Sequence, residues 1–302
     1  MHCVMIRACA HNPLIYGVFF SLSAGAMGTQ KPIQSTHSEW LAFPLNFKWC
    51  VATSAHQIEG GSTNNNWNDW ERAGKVFDQQ VSGAASDHWN RLEEDTALIK
   101  NLGATLYRMS IEWSKVEPAE GYFDEAVIAH YAREIQLLQA SGIEPAITLQ
   151  HFTIPKWVAA HGGWEWDGLP TAFARFARVV HSRIAPEVRD WYTLNEPMVV
   201  IGGGYYTGEL PPGLKRPLGA LAPLIVNMLK THAAGYHALH ERKMSSGQPV
   251  RVGIAFHLRD IHPANPLNPV DQFASKMWNE LTNWGPLEAI QTGIARLHAP
   301  FQ

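Results

Sequence analysis

The chain has 302 residues, of which 46% are hydrophobic and 17% are charged. This length and composition support a large buried core, in one large domain or in two smaller ones. The formal net charge of -3 excludes the basic field with which proteins hold nucleic acids or anionic membranes, so we expect neither partner and predict a small neutral ligand.

The patterns of cysteine, histidine and glycine argue against several cofactor chemistries. The chain has 3 Cys and 15 His, and their spacing matches neither a disulfide framework nor a metal centre. Gly202-Gly203-Gly204 follows Asn-Glu-Pro instead of a strand, which argues against a dinucleotide-binding loop. We therefore predict no metal and no cofactor. No pattern in the sequence predicts an oligomeric state.

The first 37 residues differ in pattern from the rest of the chain. Arg7 precedes a mostly apolar run over residues 14–27, and Ala24-Gly25-Ala26 resembles the cleavage site of a secretory signal. Residues 11–13 interrupt this pattern, and Met27 would serve equally well as the start of the protein. The run is shorter than the roughly 20 residues that a membrane-spanning helix needs. We predict a disordered leader over residues 1–37 in a cytoplasmic protein, with export through a signal peptide ending near Ala26 as the alternative.

From residue 38 onward, short β-rich runs alternate with longer stretches of helical periodicity. The runs predict strands over residues 49–54, 105–110, 145–150, 191–194 and 250–256. The longer stretches predict helices over residues 87–102, 124–142, 170–184 and 218–243. Because this alternation is typical of parallel sheets, we predict an α/β fold of the (β/α)₈ barrel type. Residues 38–302 then carry its amino-terminal part, about five of the eight βα units.

Polar and aromatic residues follow four of the predicted strands directly. They are His56 to Glu59, Glu112-Trp113, His151-Phe152 and Asn195-Glu196. In a (β/α)₈ barrel the loops at the carboxyl ends of the strands form one face, so we expect these side chains to converge there. The 12 Trp of the chain suit the faces of sugar rings, although core filling explains them equally well.

Glu196 is the candidate general acid. It lies in Thr193-Leu194-Asn195-Glu196-Pro197, at the end of the fourth predicted strand. Retaining hydrolysis of a glycosidic bond uses two carboxyl groups about 5 to 5.5 Å apart, one as acid/base and one as nucleophile. An isolated Asn-Glu-Pro is a common entry into a helix, but its position after a barrel strand favours the catalytic interpretation.

Four segments of the chain resemble motifs of glycoside hydrolase family 1, in the order in which that family has them. They are FKWCVATSAHQIEG at residues 47–60, YRMSIEWS at 107–114, residues 149–157 and TLNEP at 193–197. The resemblance runs from about Phe43 to the end of the chain. It implies a retaining β-glycosidase that hydrolyses terminal β-linked glucose or galactose through a covalent glycosyl-enzyme.

Carried over to matching positions, the resemblance assigns a role to each of five residues. It makes Glu196 the acid/base, and it makes Gln57 and His151 hydrogen-bonding partners of the sugar hydroxyls. Asn195 would hold the 2-hydroxyl, and Arg108 would orient the nucleophile. A structural role remains the alternative for each, such as a core histidine, a turn-forming Asn or a buried ion pair of Arg108.

The chain departs from the family pattern at two places. Phe152 stands where family members often carry Trp, which removes a ring N–H donor and keeps an apolar wall. The family's nucleophile lies in a Thr-Glu-Asn-Gly motif, and no such tetrapeptide occurs in these 302 residues. Glu112 and Glu59 are carboxylates to which we assign structural roles instead. The resemblance therefore implies a chain truncated after the fifth βα unit and without activity by itself.

Two alternatives remain open. One is a catalytically dead remnant that binds sugars weakly, since an acid/base without its nucleophile is not expected to turn over substrate. The other is a different retaining barrel glycosidase, such as a cellulase, because Asn-Glu-Pro after the fourth strand is shared across related families. The motifs around Gln57 and Arg108 count against that second alternative.

Overall fold

The computed structural model describes residues 4–7, 43–44 and 46–295 of the chain. Within these residues one six-stranded sheet has its strands in sequence order. The strands are β1 (Val4–Arg7), β2 (Lys48–Ala52), β3 (Leu106–Ser110), β4 (Glu144–Gln150), β5 (Asp190–Asn195) and β6 (Arg251–Ala255). Strands β2 to β6 are parallel, and β1 pairs antiparallel with β2.

Helices follow each of the parallel strands, and the large apolar core lies between them and one face of the sheet. They are α1 (Ala55–Ile58), α2 (Asn66–Arg72), α3 (Leu92–Asn101), α4 (Trp113–Val116), α5 (Glu125–Ala140), α6 (Lys156–Ala160), α7 (Leu169–Val179), α8 (Pro197–Ile201), α9 (Leu221–His240), α10 (Pro269–Asn279) and α11 (Gly285–Thr292). Short 3₁₀ turns (Phe77–Gln79, His88–Asn90, Gly163–Glu165, Leu218–Ala220) and π turns (Val180–Ile184, Gly202–Thr207, Glu280–Trp284) complete the connections. None of the helices in the described ranges is both long and apolar enough to cross a lipid bilayer.

All five predicted strands are present, and their ends differ by a few residues from the prediction. The first ends earlier, at Ala52, because Ser54 already precedes helix α1 as its N-cap residue. The helix predicted over residues 87–102 is interrupted instead of continuous. Asp87 adopts a φ of 57°, and a 3₁₀ turn separates it from α3. Hydrophobic periodicity detects the apolar face of such a segment, but it does not detect a single left-handed residue.

Most of the predicted leader over residues 1–37 lies outside the described residues. The exception is β1, whose Val4 pairs with Val51 and whose Arg7 pairs with Lys48. The sequence patterns predicted no strand there. The predicted cleavage site near Ala26, and residues 38–42 at the predicted start of the barrel, lie outside the described part of the chain as well.

The two faces of the sheet carry different side chains. Tyr107, Met109 and Ile147 belong to the large apolar core between the sheet and the helices. Leu106 and Ala146 form a separate small cluster with Cys50. Because side chains alternate along a strand, Arg108 shares its face of β3 with Leu106. A buried cation therefore lies on the face of the sheet opposite the helices, which in a closed barrel is the interior.

An ionic cluster joins the connection before α3 to helix α5. The buried ring of His88 lies 2.6 Å from an oxygen of Asp95 and 2.9 Å from an oxygen of Glu134. Burial by itself lowers the pKa of His88. The hydrogen bonds and charges of Glu134 and Asp95 outweigh that effect and raise this pKa to about 9. The charged imidazole thus fixes α3 and α5 to each other.

We expect His88→Gln to lower the free energy of unfolding most at acid pH. The pKa of His88 is higher in the folded chain than the ordinary 6.5, so its stabilisation is complete below about pH 6.5 and is lost as the pH rises through about 9. The difference at low pH is about 3 kcal/mol. Denaturant unfolding of both proteins across this range measures it. The exposed pair of His161 and Glu120 provides a control, since His161→Gln should change stability little. A difference independent of pH would contradict the charged state of His88.

Candidate active site

Glu196 follows the last residue of β5 and is the N-cap residue of α8. Its backbone N–H donates to the carbonyl of Ala255 at 2.7 Å, which ties the end of β5 to the end of β6. Its φ of 48° and ψ of 55° lie in the left-handed region. A residue other than glycine pays for this conformation with strain of order 1 to 3 kcal/mol, and such strain clusters at functional sites.

The carboxyl group of Glu196 is partly exposed to solvent. Its side chain is 28% exposed, and Nδ1 of His257 lies 3.7 Å from its Oε2. The left-handed residue separates the end of β5 from Pro197, which begins α8. A partly exposed carboxyl group at this edge can reach a ligand that lies across the strand ends.

Arg108 fixes the amide of Asn195. Its Nη2 donates to Oδ1 of Asn195 at 2.6 Å, and its Nε donates to Oγ1 of Thr148 at 2.9 Å. The guanidinium carbon also lies 4.7 Å from the centre of the Tyr192 ring. Because Oδ1 accepts from Arg108, the Nδ2 end of the Asn195 amide points the other way as a donor. The sequence resemblance predicted that Arg108 orients a nucleophile; the described residues place it on Asn195, and the predicted role stays a prediction.

His151 follows β4 and stays neutral over the whole physiological range. Burial, followed by the charge of Arg108, lowers the pKa of His151 to about 3. Its Nδ1 is buried and has no hydrogen-bond partner among the described residues. A buried ring nitrogen without a partner is costly unless a ligand or a water completes it. His151 therefore offers an unused polar group close to Arg108.

Phe152 continues the same edge after His151. It has a φ of 71°, so β4 and β5 each end close to a residue in the left-handed region. Its ring centre lies 6.5 Å from that of Trp67 and 5.4 Å from that of His151. The rings of Phe152 and Trp67 supply an apolar wall beside His151, an arrangement that suits a sugar ring.

Gln57 lies in α1, at the carboxyl end of β2, and its side chain is exposed. Its Oε1 accepts from Oγ of Ser54 at 2.7 Å, so its NH₂ group is the end left to face a ligand. The backbone N–H of Ala55 donates to Oγ of Ser110 at 2.7 Å. This bond fixes the start of α1 to the end of β3 and holds Gln57 on the same edge as the other candidates.

Glu112 has a supporting position. It is 1% exposed, and its Oε1 accepts from the hydroxyl of Ser114. Its Oε2 accepts from the hydroxyl of Thr153 at 2.8 Å, and Asn65 donates to Oε1 at 3.4 Å. With both oxygens engaged inside the protein, Glu112 holds the loop after β4 instead of facing a ligand. These contacts support the structural role predicted for it.

Glu59 is likewise enclosed. Burial raises the pKa of Glu59 to about 7, although the charge of Lys115 opposes this rise. Nζ of Lys115 lies 2.8 Å from Oε2, and the hydroxyl of Tyr131 donates to Oε1 at 2.8 Å. Tyr131 also accepts from the backbone N–H of Glu112. The pair of Glu59 and Lys115 thus braces the loops behind the candidate site.

His257 and Thr148 were not among the residues predicted from the sequence. His257 comes two residues after β6, so the rule that selected residues after the other four strands would have selected it as well. Thr148 lies inside β4, and no local pattern distinguishes it from a core threonine. Within the described ranges, no group of three or more His, Cys, Asp or Glu residues is placed to hold a metal ion.

The parallel sheet, with helices after its strands and the candidate residues at their carboxyl ends, has the architecture of the (β/α)₈-barrel class. The chain belongs to glycosyl hydrolase family 1, whose family model matches residues 40–293. Both the predicted family and the predicted fold class are confirmed, and five of the eight parallel strands of such a barrel lie in the described residues.

Individual relatives agree with this assignment. The cytosolic beta-glucosidase of Homo sapiens is 31% identical over 247 residues, which cover 78% of this chain and 52% of the relative. The solved beta-glycosidase of Pyrococcus horikoshii has a TM-score of 0.77 at 35% identity, over 84% of this chain and 57% of that chain. A beta-glucosidase of Thermotoga maritima in complex with noeuromycin has a TM-score of 0.77 at 29% identity, over 84% and 58% of the two chains. The chain spans somewhat more than half the length of each of these relatives.

We expect Glu196→Gly to be more stable than Glu196→Ala by about 1 kcal/mol, because glycine adopts the left-handed conformation without the clash of a Cβ atom. Both variants remove the carboxyl group, so their difference isolates the backbone. Thermal or denaturant unfolding measures it. As a control, Ala97→Gly in the exposed middle of α3 should have the opposite sign and lower stability by about 1 kcal/mol. Equal stability of the two variants at position 196 would show that the strain is absent.

Proposed function

We propose that the chain carries the acid/base part of the active site of a retaining β-glycosidase that acts on terminal β-linked glucose or galactose. The observation that carries this proposal is the pairing of Glu196 with Asn195 at the end of β5. The partly exposed carboxyl group of a residue with a left-handed backbone lies beside an amide whose orientation Arg108 fixes. The beta-glucosidases among the relatives support the same reaction class.

The proposed chemistry assigns two successive roles to Glu196. Its carboxylic acid protonates the glycosidic oxygen as the bond to the anomeric carbon breaks, and its carboxylate then accepts a proton from the water that releases the sugar. In between, a second carboxylate holds the sugar covalently. The 302 residues contain no Thr-Glu-Asn-Gly motif, so we assign the role of nucleophile to none of them.

Three neutral groups are proposed to bind the sugar. His151 has its unpartnered Nδ1, Asn195 has its Nδ2, and Gln57 has its NH₂ group. Neutral donors and acceptors of this kind suit the hydroxyl groups of an uncharged sugar. The neighbouring rings of Phe152 and Trp67 suit its apolar face. We therefore propose a small β-glycoside or oligosaccharide as the ligand, with no nucleic acid, no membrane and no cofactor involved.

Sugar binding without turnover is the second candidate function for these residues alone. It is favoured by the lack of an assigned nucleophile, whereas the groups proposed to bind the sugar are all present. The two candidates differ in one observable. A binding remnant has affinity for monosaccharides and stays without hydrolysis when the second half of a related barrel is supplied.

The decisive experiment joins residues 1–293 to the carboxyl-terminal part of the Pyrococcus horikoshii enzyme. We expect the fusion to hydrolyse aryl β-glucosides, while the 302-residue chain does not. Glu196→Ala in the fusion should lower turnover of poor leaving groups by about 10² to 10⁴, because they need protonation, and should spare the first step with activated aryl groups. Added azide should restore release of the sugar.

Glu112→Gln provides the matched control for this experiment, because it changes a carboxylate that faces the protein interior. Its effect should not depend on the leaving group. An equal loss with both classes of leaving group in Glu196→Ala would remove Glu196 from the acid role. A fusion that folds and binds the sugar without any turnover would favour the second candidate function.

A further prediction separates sugar binding from stability. Asn195→Asp keeps an oxygen for Arg108 and removes the Nδ2 donor, so the fold should be retained while affinity for noeuromycin falls about tenfold. Calorimetric titration of the chain measures the affinity. Thr148→Val is the converse control. It removes the Oγ1 that accepts from Nε of Arg108 and should cost about 1 to 3 kcal/mol of stability, with a smaller effect on affinity. Unchanged affinity in Asn195→Asp would exclude the amide from sugar binding.

A further inference from the structure

A histidine adjoins the candidate acid/base from the neighbouring strand. His257 lies two residues after the end of β6, and its Nδ1 is 3.7 Å from Oε2 of Glu196. The side chains of His257 and Glu196 are 25% and 28% exposed, so both are partly open to solvent. The bond between the Glu196 N–H and the Ala255 carbonyl, at 2.7 Å, holds the two loops at a fixed separation.

The proton of this histidine can be located from its second nitrogen. Nε of Arg259 donates to Nε2 of His257 at 3.0 Å. A guanidinium has donors and no acceptor, so Nε2 must be the unprotonated nitrogen of a neutral imidazole. The single ring proton is then on Nδ1, the nitrogen that faces Glu196. The hydrogen bond made by one ring nitrogen sets the state of the other.

Arg259 is itself held in place by its backbone. The backbone N–H of Arg259 donates to Oδ1 of Asn283 at 3.2 Å, and Nδ2 of Asn283 donates to the backbone carbonyl of Arg259 at 2.6 Å. Asn283 is 3% exposed and also donates to Oδ1 of Asn279 at 2.9 Å. These bonds anchor the loop after β6 to the π turn Glu280–Trp284. The backbone of Arg259, from which the guanidinium extends to His257, is therefore fixed.

We propose that His257 is a positioning residue for Glu196, with its Nδ1–H donating to the Glu196 carboxylate and Arg259 selecting the tautomer that makes this possible. The inference rests on the proposed function of Glu196 as acid/base. The distance of 3.7 Å exceeds an ordinary hydrogen bond of about 3 Å. Contacts of catalytic groups are commonly long without ligand and shorten in the complex. His257 acts here as a donor and transfers no proton, since Arg259 occupies its other nitrogen.

The consequence for the reaction is geometric. Glu196 has to present one oxygen to the glycosidic oxygen, while its other oxygen needs a fixed partner to stop rotation of the carboxyl group. Nδ1–H of His257 is that partner for Oε2. It also continues to donate after Glu196 has released its proton, when the carboxylate carries a negative charge.

The first test is the proton position, which needs no enzymatic activity. In the ¹⁵N-histidine-labelled chain, at a pH where the His257 ring is neutral, His257 should show a protonated Nδ1 and an unprotonated Nε2. His161 is the internal reference with the opposite tautomer. Its Nε2 lies 3.0 Å from an oxygen of Glu120, so Nε2 should be its protonated nitrogen. The His257→Asn variant identifies the His257 signals by their loss. Arg259→Leu should exchange the two nitrogen shifts of His257 and leave those of His161 unchanged.

The second test is the order of the Glu196 side chain in crystals of the chain. His257→Leu should spread Glu196 over more than one rotamer, and His257→Asn should restore a single one, since its amide offers a donor near the position of Nδ1. A protonated Nε2 in the unmodified chain overturns the proposal. A single Glu196 rotamer in His257→Leu also overturns it. A correct tautomer together with an inactive fusion protein would instead count against the proposed function.

Discussion

A buried guanidinium holds the edge of the sheet on which the candidate site depends. Arg108 comes from β3, and it donates to the side chain of Thr148 in β4 and to the amide oxygen of Asn195 in β5. A buried cation is tolerable only when its donors are satisfied and opposing dipoles surround it. That requirement fixes three adjacent strands in one register. It also sets the direction of the Asn195 amide and, through its charge, helps to keep the neighbouring His151 neutral.

The parallel strands and the position of Glu196 could be predicted from the sequence, because they follow from repeated local patterns. Strand and helix periodicity located the parallel strands, and the position of Glu196 directly after a strand located the candidate acid. What could not be predicted depends on contacts between distant segments. The sequence does not show that Arg108 bonds to Asn195, 87 positions away. It also does not show that the hydroxyl of Thr153 donates to an oxygen of Glu112, a contact that supports a structural role for that carboxylate.

In the candidate site, two amide side chains bond to the protein through their oxygen and keep their nitrogen as a donor for a ligand. Gln57 and Asn195 each use their amide oxygen within the protein, to Ser54 and Arg108 respectively, and each keeps its nitrogen for the open side. An amide fixed at one end loses little further freedom when it binds, so less entropy opposes binding. Glu59 differs from these amides, because Lys115 and Tyr131 bond to both of its oxygens and leave neither of them for a ligand.

The backbone at Phe152 limits which side chains this wall of the site can carry. A φ of 71° is tolerated by glycine and, at some cost, by Asn, Asp and His, whereas a bulky side chain such as that of Phe152, or one branched at Cβ, is strained there. Exchanges among aromatic residues leave the backbone requirement unchanged and alter only the polarity and size of the wall. Val, Ile and Thr would demand a different path of the loop after β4. In evolution or in a designed library, we therefore expect the substitutions accepted at position 152 to be mainly exchanges among aromatic residues, His, Asn and Asp.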